Sequence, residues 1–202
     1  MNFYVLASLI LIIVIISRAI SRQKKIKDRA EQTFWERERM ANSVRRKPLD
    51  GLAYIQIPLD RFPINLLDQD SRVRECVELL KTLSTQPIVN LTGYSNTDLK
   101  LKYGAPNITL LSEYDQNYTV MVRTLQKWAD LLWEAGFRAE AVTIMEFAVS
   151  THTDTSHTYY RLAEFYSSYG ENEKIQSLIQ TAETLRSANK SAIVRTLQES
   201  YL

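Results

Sequence analysis

The chain has 202 residues, 45% apolar and 24% charged, with a net charge of +2, five glycines and five prolines. Those totals exclude a disordered chain, argue for helix over β-turn architecture, and leave room for about one domain plus extras. A single cysteine, Cys76, excludes an intramolecular disulfide framework and a cysteine-rich metal site.

Residues 1–17 carry no charged side chain, and residues 3–16 are apolar except for Ser8. As a helix, such a run spans about 25 Å, and Ala19 and Ile20 extend it while Arg18 snorkels to the surface. A transmembrane helix over residues 1–20 is therefore expected. The rival is a cleaved signal peptide, with Ser17 and Ala19 as acceptable small residues. The absence of a cation before the run and the many that follow it oppose that rival.

The charge is lopsided: residues 18–50 hold eleven Lys/Arg against five Asp/Glu, and residues 51–202 hold fourteen against eighteen. Arg18, Arg22, Lys24, Lys25, Lys27 and Arg29 flank the apolar run on one side only. They are read either as a collar for anionic lipid or as the charges of a solvated stalk. The positive-inside rule then sets a single-pass membrane protein, N-terminus outside and C-terminal domain cytoplasmic. Residues 21–48 read as a charged juxtamembrane helix in which Ile26, Ala30 and Phe34 form a stripe at four-residue spacing. Cations confined to this flank do not make a nucleic-acid surface.

Pro48 and Gly51 end that helix, and residues 52–63, with two prolines, read as ordered coil or a short strand. Asp70 or Ser71 caps a helix to about Ser84, with Val73, Cys76, Val77, Leu80 and Leu83 on its buried face. Cys76 on that face is a core thiol rather than a nucleophile. Ser95 and Asp98 form a capping box for a short helix that stops at Gly104. Leu111, Tyr114, Tyr118 and Met121 then lead helically into the next region, so residues 49–121 are expected to pack as an N-terminal helical region.

From residue 122 to 187 the sequence repeats with a period of 34. Gly136 is followed by Gly170, Ala129 by Ala163 and Ala148 by Ala182, and the apolar positions Leu125/Tyr159, Trp128/Leu162, Leu132/Tyr166, Ile144/Leu178 and Met145/Ile179 keep the same offset. Small residues allow close helix approach, and a glycine ends a helix without a Cβ clash. Residues 188–202 read as a final capping helix with Ile193, Val194 and Leu197 on its inner side.

This pattern resembles the tetratricopeptide repeat (TPR) family, over two degenerate repeats and about 64 residues. Ala129 and Ala163 stand at that family's small helix A position, and Tyr166 at its aromatic position. Ala141, Met145 and Ala148, then Ile175, Ile179 and Ala182, follow its helix B pattern. The family's helix A tryptophan position holds Leu125 and Tyr159, and its terminal proline is Thr153 and Ser187. The resemblance implies an all-α fold, a TPR-like α-α helical-repeat domain behind the transmembrane helix. It also implies a groove lined by Arg123, Gln126, Asp130 and Trp133, then His157, Tyr160, Glu164 and Ser167. Trp133 is either a binding anchor or a residue buried under the preceding region. The Lys/Asn arrangement that clamps a C-terminal carboxylate in some TPR proteins is absent.

No phosphate-binding loop, nucleotide fingerprint or nucleophile elbow is present in the sequence. His152 and His157, with Asp154 between them, have no indicated third ligand. Asn-x-Ser/Thr triplets begin at Asn90, Asn107, Asn117 and Asn189 and are read as coincidental. The expected function is a membrane-anchored adaptor that holds a cytoplasmic protein or peptide partner in its groove. No catalysis, cofactor, metal, nucleic acid or small-molecule substrate is indicated. The rivals are an organelle-surface receptor for amphipathic presequences and an enzyme whose site lies in residues 52–118.

Overall fold

The computed structural model describes residues 3–201, and the side chains of all of these except residues 3–10 and 14. Within them the chain is all-α, with eight α-helices and one isolated antiparallel bridge, Tyr54 with Val89. It divides into two compact units: Met1–Lys47 with Ser95–Ile108, and Pro48–Tyr94 with Thr109–Leu202.

The first unit is built on α1 (Phe3–Ser43), 41 residues without glycine or proline, and α3 (Asn96–Tyr103). Ser95 caps α3: its hydroxyl accepts from the Asp98 N–H, and the Asp98 carboxylate accepts in return from the Ser95 N–H. These two bonds satisfy orphan donors at the helix start. The C-terminal turns of α1 clasp α3 through side chains. Arg37 donates to Asp98 at 2.6 Å, and Glu38 accepts from Thr97 at 2.6 Å and from Lys100. Asn107, almost wholly buried, donates to the carbonyls of Lys47 and Tyr103 at 2.8 and 2.9 Å and closes the unit.

The transmembrane helix expected over residues 1–20 is overturned: among the described residues, no helix is long and apolar enough to cross a membrane. From Arg18 onward α1 carries the charged side chains Arg18, Arg22, Lys24, Lys25 and Lys27, which interrupt the roughly 20-residue apolar stretch that a span needs. Residues 1 and 2, and the side chains of residues 3–10 and 14, on which the rest of that expectation falls, lie outside the described residues. The membrane as a partner through residues 1–20 and the single-pass topology with a cytoplasmic domain fall with the anchor. Arg18, Arg22, Lys24, Lys25, Lys27 and Arg29 are exposed side chains along α1, as are Ile26 and Phe34 of the expected stripe.

The second unit holds the main core. Asp70 caps α2 (Ser71–Leu83) by accepting from the Arg72 N–H at 2.8 Å, and Val73, Cys76, Val77, Leu80 and Leu83 form its buried face. The Arg72 guanidinium beside Asp70 holds its carboxyl down to about 2, well below the usual aspartate range. Residues 54–55 and 88–89 run extended and meet through the Tyr54–Val89 bridge and the Ile55 N–H to Ile88 carbonyl bond, 2.9 Å. Phe62 then turns into the core, edge-on to Trp128 at 5.7 Å and to Phe147 at 5.4 Å.

The long helix α4 (Ile108–Glu134) is followed by α5 (Arg138–Ser150), α6 (Ser156–Ser168), α7 (Asn172–Glu183) and α8 (Lys190–Tyr201). α4 and α6 end alike. Gly136 and Gly170 take φ of 91° and 71°, and the next N–H reaches back five residues, from Phe137 to the Leu132 carbonyl and from Glu171 to Tyr166. That satisfies a late carbonyl and turns the chain into the next helix. α5 packs on α6, α6 on α7, and α8 on both α6 and α7. Ala129 and Ala163 are fully buried between larger core residues such as Leu125, Leu132, Leu162 and Ile175.

A close-packed alanine site has no room for a longer side chain, and overpacking costs about 1–3 kcal/mol. Ala163→Leu should therefore lower the melting temperature clearly, whereas Ser167→Leu, at an exposed position on the same helix, should leave it nearly unchanged. Thermal unfolding by circular dichroism reads the difference, and equal effects would contradict the packing.

Candidate functional site

α4 and α6 are linked by successive rungs. Thr158 donates to Gln126 at 2.5 Å, His157 Nε2 lies 3.1 Å from Asp130 Oδ1, and the Arg161 guanidinium lies over the Trp133 ring, 5.0 Å from its centroid. Positions 126, 130 and 133 fall one turn apart on one face of a helix, and their partners Thr158, His157 and Arg161 lie in the first two turns of α6. His157 Nε2 is also 3.3 Å from Arg161 Nε, so this nitrogen donates to Asp130 or accepts from Arg161 according to tautomer.

The eight residues expected to line a groove are placed as follows. Gln126, Asp130 and His157 spend polar groups in the rungs. Tyr160 packs against the core, and its hydroxyl donates to Thr196 on α8 at 3.4 Å. Trp133 is buried. Arg123, Glu164 and Ser167 are exposed. Burial, and then the nearby Glu164 carboxylate, push the Tyr201 hydroxyl up.

At the C-terminal ends of α4 and α6 the rungs give way to aromatic rings. Trp133 meets Phe165 at 6.3 Å, and Phe165 meets Tyr169 at 4.8 Å. Arg138 lies over the Trp133 ring at 5.3 Å, so two guanidiniums cover one indole. Tyr169 is 69% exposed. Arg138, Arg161, Phe165 and Tyr169 were not among the expected site residues. Their signal in the sequence is the four-residue spacing of Arg161, Phe165 and Tyr169, a second stripe beside the buried one of Tyr159, Leu162, Ala163 and Tyr166.

A second polar cluster is internal. The turn between α5 and α6 buries Thr151 and Thr153 and holds His152 at a left-handed φ of 58°. Its carbonyls are taken by side chains from elsewhere. Asn90 donates to Thr151 at 2.9 Å and His152 at 3.1 Å, Tyr118 to Thr151 at 3.2 Å, and Tyr159 to Thr153 at 3.0 Å. Burial pushes the Tyr118 hydroxyl up to about 12 and raises that of Tyr159 further. Tyr166, donating to Glu146 at 2.6 Å, is raised by burial and then by that carboxylate.

The remaining candidates are also tied into the fold. His152 Nδ1 faces Thr184 at 3.3 Å while His157 faces Asp130, so the two histidines have separate partners. Among the described residues no group of three His, Cys, Asp or Glu is placed to hold a metal. Cys76 is buried, and burial pushes its thiol up. The side-chain amide nitrogen of each triplet asparagine is in use: Asn90 and Asn107 as above, Asn117 to the Pro87 carbonyl at 2.9 Å, and Asn189 to Asp154 at 3.3 Å. A surface cleft of about 590 Å³ is lined by Tyr54, Ile57, Leu59, Thr85, Pro87 and neighbouring residues, and no carboxylate, imidazole or thiol lines it.

No protein-family model matches the chain, and no curated protein or solved structure matches it either. The expected membership of a TPR-like family behind a membrane anchor is thereby corrected to an all-α domain of packed helices. The geometry supplies a physical reason: α4 has 27 residues against the 13 of α6, so the two hairpins are unequal. The 34-residue offset follows recurring packing and helix-end positions. The membrane-anchored adaptor and the presequence receptor, both built on the anchor, are overturned with it.

The buried tyrosines make a prediction for alkaline pH. An acid whose folded pKa lies above its unfolded value, about 10 for tyrosine, adds stability that is complete below that value. The contribution is lost as pH rises through the folded value, about 12 for Tyr118. Tyrosinate absorbance followed with circular dichroism should show Tyr118, Tyr159 and Tyr166 ionising only as helicity collapses. A full tyrosinate signal from all eleven tyrosines with native helicity would contradict it.

Proposed function

We propose that this chain is a protein-binding domain without chemistry of its own. Its partner docks where α4 and α6 end, on Trp133, Arg138, Arg161, Phe165 and Tyr169, with Glu164 and Ser167 at the rim. The observation that carries the reading is the exposed Tyr169 ring, backed by Phe165 and by an indole that two arginines cover. Tryptophan, tyrosine and arginine are the residues that carry most binding energy in protein interfaces, because each offers large rigid contact area with a polar end. Arg123 and Tyr160 lie further along the two helices, and Tyr160 serves the α6–α8 contact more than the docking face.

The rival, an enzyme using residues 52–118, is less well supported. Reaction sites need titratable groups whose shifts serve a substrate. The shifted carboxylates of this region, Asp70, Glu75 and Asp98, are lowered chiefly by Arg72, Lys127 and Ser95, which cap helices or join them. The cleft beside Tyr54 has no carboxylate, imidazole or thiol in its lining.

A photo-crosslinking amino acid placed at Tyr169, and for comparison at Ser177 on α7, tests the reading in cells that make the protein. A discrete protein adduct is expected from position 169 and not from 177. Tyr169→Ala should cut recovery of that protein tenfold or more, as for an interface anchor worth about 2 kcal/mol. At an exposed site it should shift folding stability by only about 0.5 kcal/mol. Adducts from 177 alone, or undiminished recovery with Tyr169→Ala, would move the working face elsewhere.

A further inference from the structure

We infer that the partner segment docking on this face is acidic, with carboxylates that pair with Arg138 and Arg161 beside an apolar side chain that packs on Tyr169. The inference rests on the protein-binding reading and adds the chemistry of the partner. Both guanidiniums lie over Trp133, at 5.3 and 5.0 Å, and neither is in an ion pair among the described residues.

Of the carboxylates near the two arginines in sequence, Asp130 faces His157 at 3.1 Å, and none of Glu134, Glu140 and Glu164 is ion-paired with either arginine among the described residues. The cluster therefore holds two positive charges over one indole, with the Arg161 Nε also 3.3 Å from His157 Nε2. Guanidinium N–H groups lie in the plane of the group, so a cation over a ring can still offer an edge of terminal N–H donors. An edge with parallel donors matches a carboxylate in bidentate fashion, and no neutral or basic side chain offers two acceptors in that geometry. The exposed Tyr169 ring, tilted against Phe165 at 4.8 Å, adds an apolar contact beside the charges. An extended partner strand advances about 3.3 Å per residue, so neighbouring residues of one short segment reach both kinds of contact.

The test uses the full chain and three fluorescent peptides of one length, alternating phenylalanine with glutamate, with glutamine or with lysine. Fluorescence anisotropy at low salt should show binding of the glutamate peptide at least tenfold tighter than of the other two, weakening as salt screens the charges. Arg138→Gln with Arg161→Gln should reduce that binding tenfold or more, whereas Arg195→Gln, an exposed site on α8, should leave it unchanged. Should the glutamine pair fail to fold, Arg138→Lys with Arg161→Lys keeps the charge and loses the bidentate edge, and weakened binding is again expected. Equal binding of the glutamate and glutamine peptides, no binding of the glutamate peptide, or binding unaffected by the arginine variants would each overturn the inference. If crosslinks at position 169 persist through such a result, the docking face stands and only its acidic partner falls. If those crosslinks are absent too, both readings fail.

Discussion

The second unit depends on three carbonyls, those of Thr151, His152 and Thr153. α5 stops and α6 starts within a few residues, and Thr151 and Thr153 of the connection are buried. Buried peptide groups need partners, and each one left unpaired costs about 1–3 kcal/mol. The turn cannot supply them itself, since His152 already sits in the left-handed region that side chains other than glycine rarely adopt. Asn90, Tyr118 and Tyr159 supply them from a loop, from α4 and from α6. The requirement to satisfy one turn thus fixes the register of three separate segments. Tyr118 lies on the same helix as Gln126 and Asp130, so once it reaches Thr151 the rungs to α6 are aligned about two and three turns further on.

The docking face follows from what covers α6. Helices α5, α7 and α8 all pack against it, and its buried stripe of Tyr159, Leu162, Ala163 and Tyr166 is consumed by that contact. The stripe of Arg161, Phe165 and Tyr169 lies beside it, and its Arg161 and Phe165 meet Trp133 at the end of α4. Trp128 and Trp133 show the consequence within one helix. Trp128 is fully enclosed in the core against Phe62, whereas Trp133, near the last turn of α4, is covered by arginines. An apolar ring closed by charged side chains is the form a surface takes where core packing runs out.

The helices were legible in the sequence because their signals are local. The Asp70 cap, the Ser95–Asp98 box and the glycines at 136 and 170 each act within a few residues of themselves. The 34-residue offset was legible too, and it tracks which positions are small or buried, a property that packing alone can impose on two hairpins. What escaped was non-local. Asn90 reads as one residue of a triplet, and its role is fixed by carbonyls 61 and 62 residues away. Tyr160 sits on an outward-looking face until α8 returns to cover it with Thr196. The arginines over Trp133 were hidden for the same reason: each is unremarkable in its own helix, and only the meeting of α4, α5 and α6 gives them a shared ring.

The first unit is held by different means. Its links between α1 and α3 run through carboxylates: Arg37 with Asp98, and Glu38 with Lys100 and Thr97. Lys100 and then Thr97 hold the Glu38 carboxyl below its ordinary value, and Ser95 first and then Arg37 do so for Asp98. Charges that remain in reach of water gain little from pairing, because solvent screens them and long side chains lose freedom in meeting. Asn107 is in the opposite situation. Its amide is neutral, buried, and donates both hydrogens to carbonyls that flank the unit's two chain segments, Lys47 and Tyr103. Each such bond contributes about 0.5–1.5 kcal/mol, and removing the amide would take this donor from the Lys47 carbonyl and leave the Tyr103 carbonyl with the Lys47 N–H. The backbone bonds from Lys47 to Tyr103 and from Ala105 to Val44 run beside it and are protected by it. Of the two kinds of link, the ion pairs orient α1 along α3, and the asparagine is the one whose loss would open the unit.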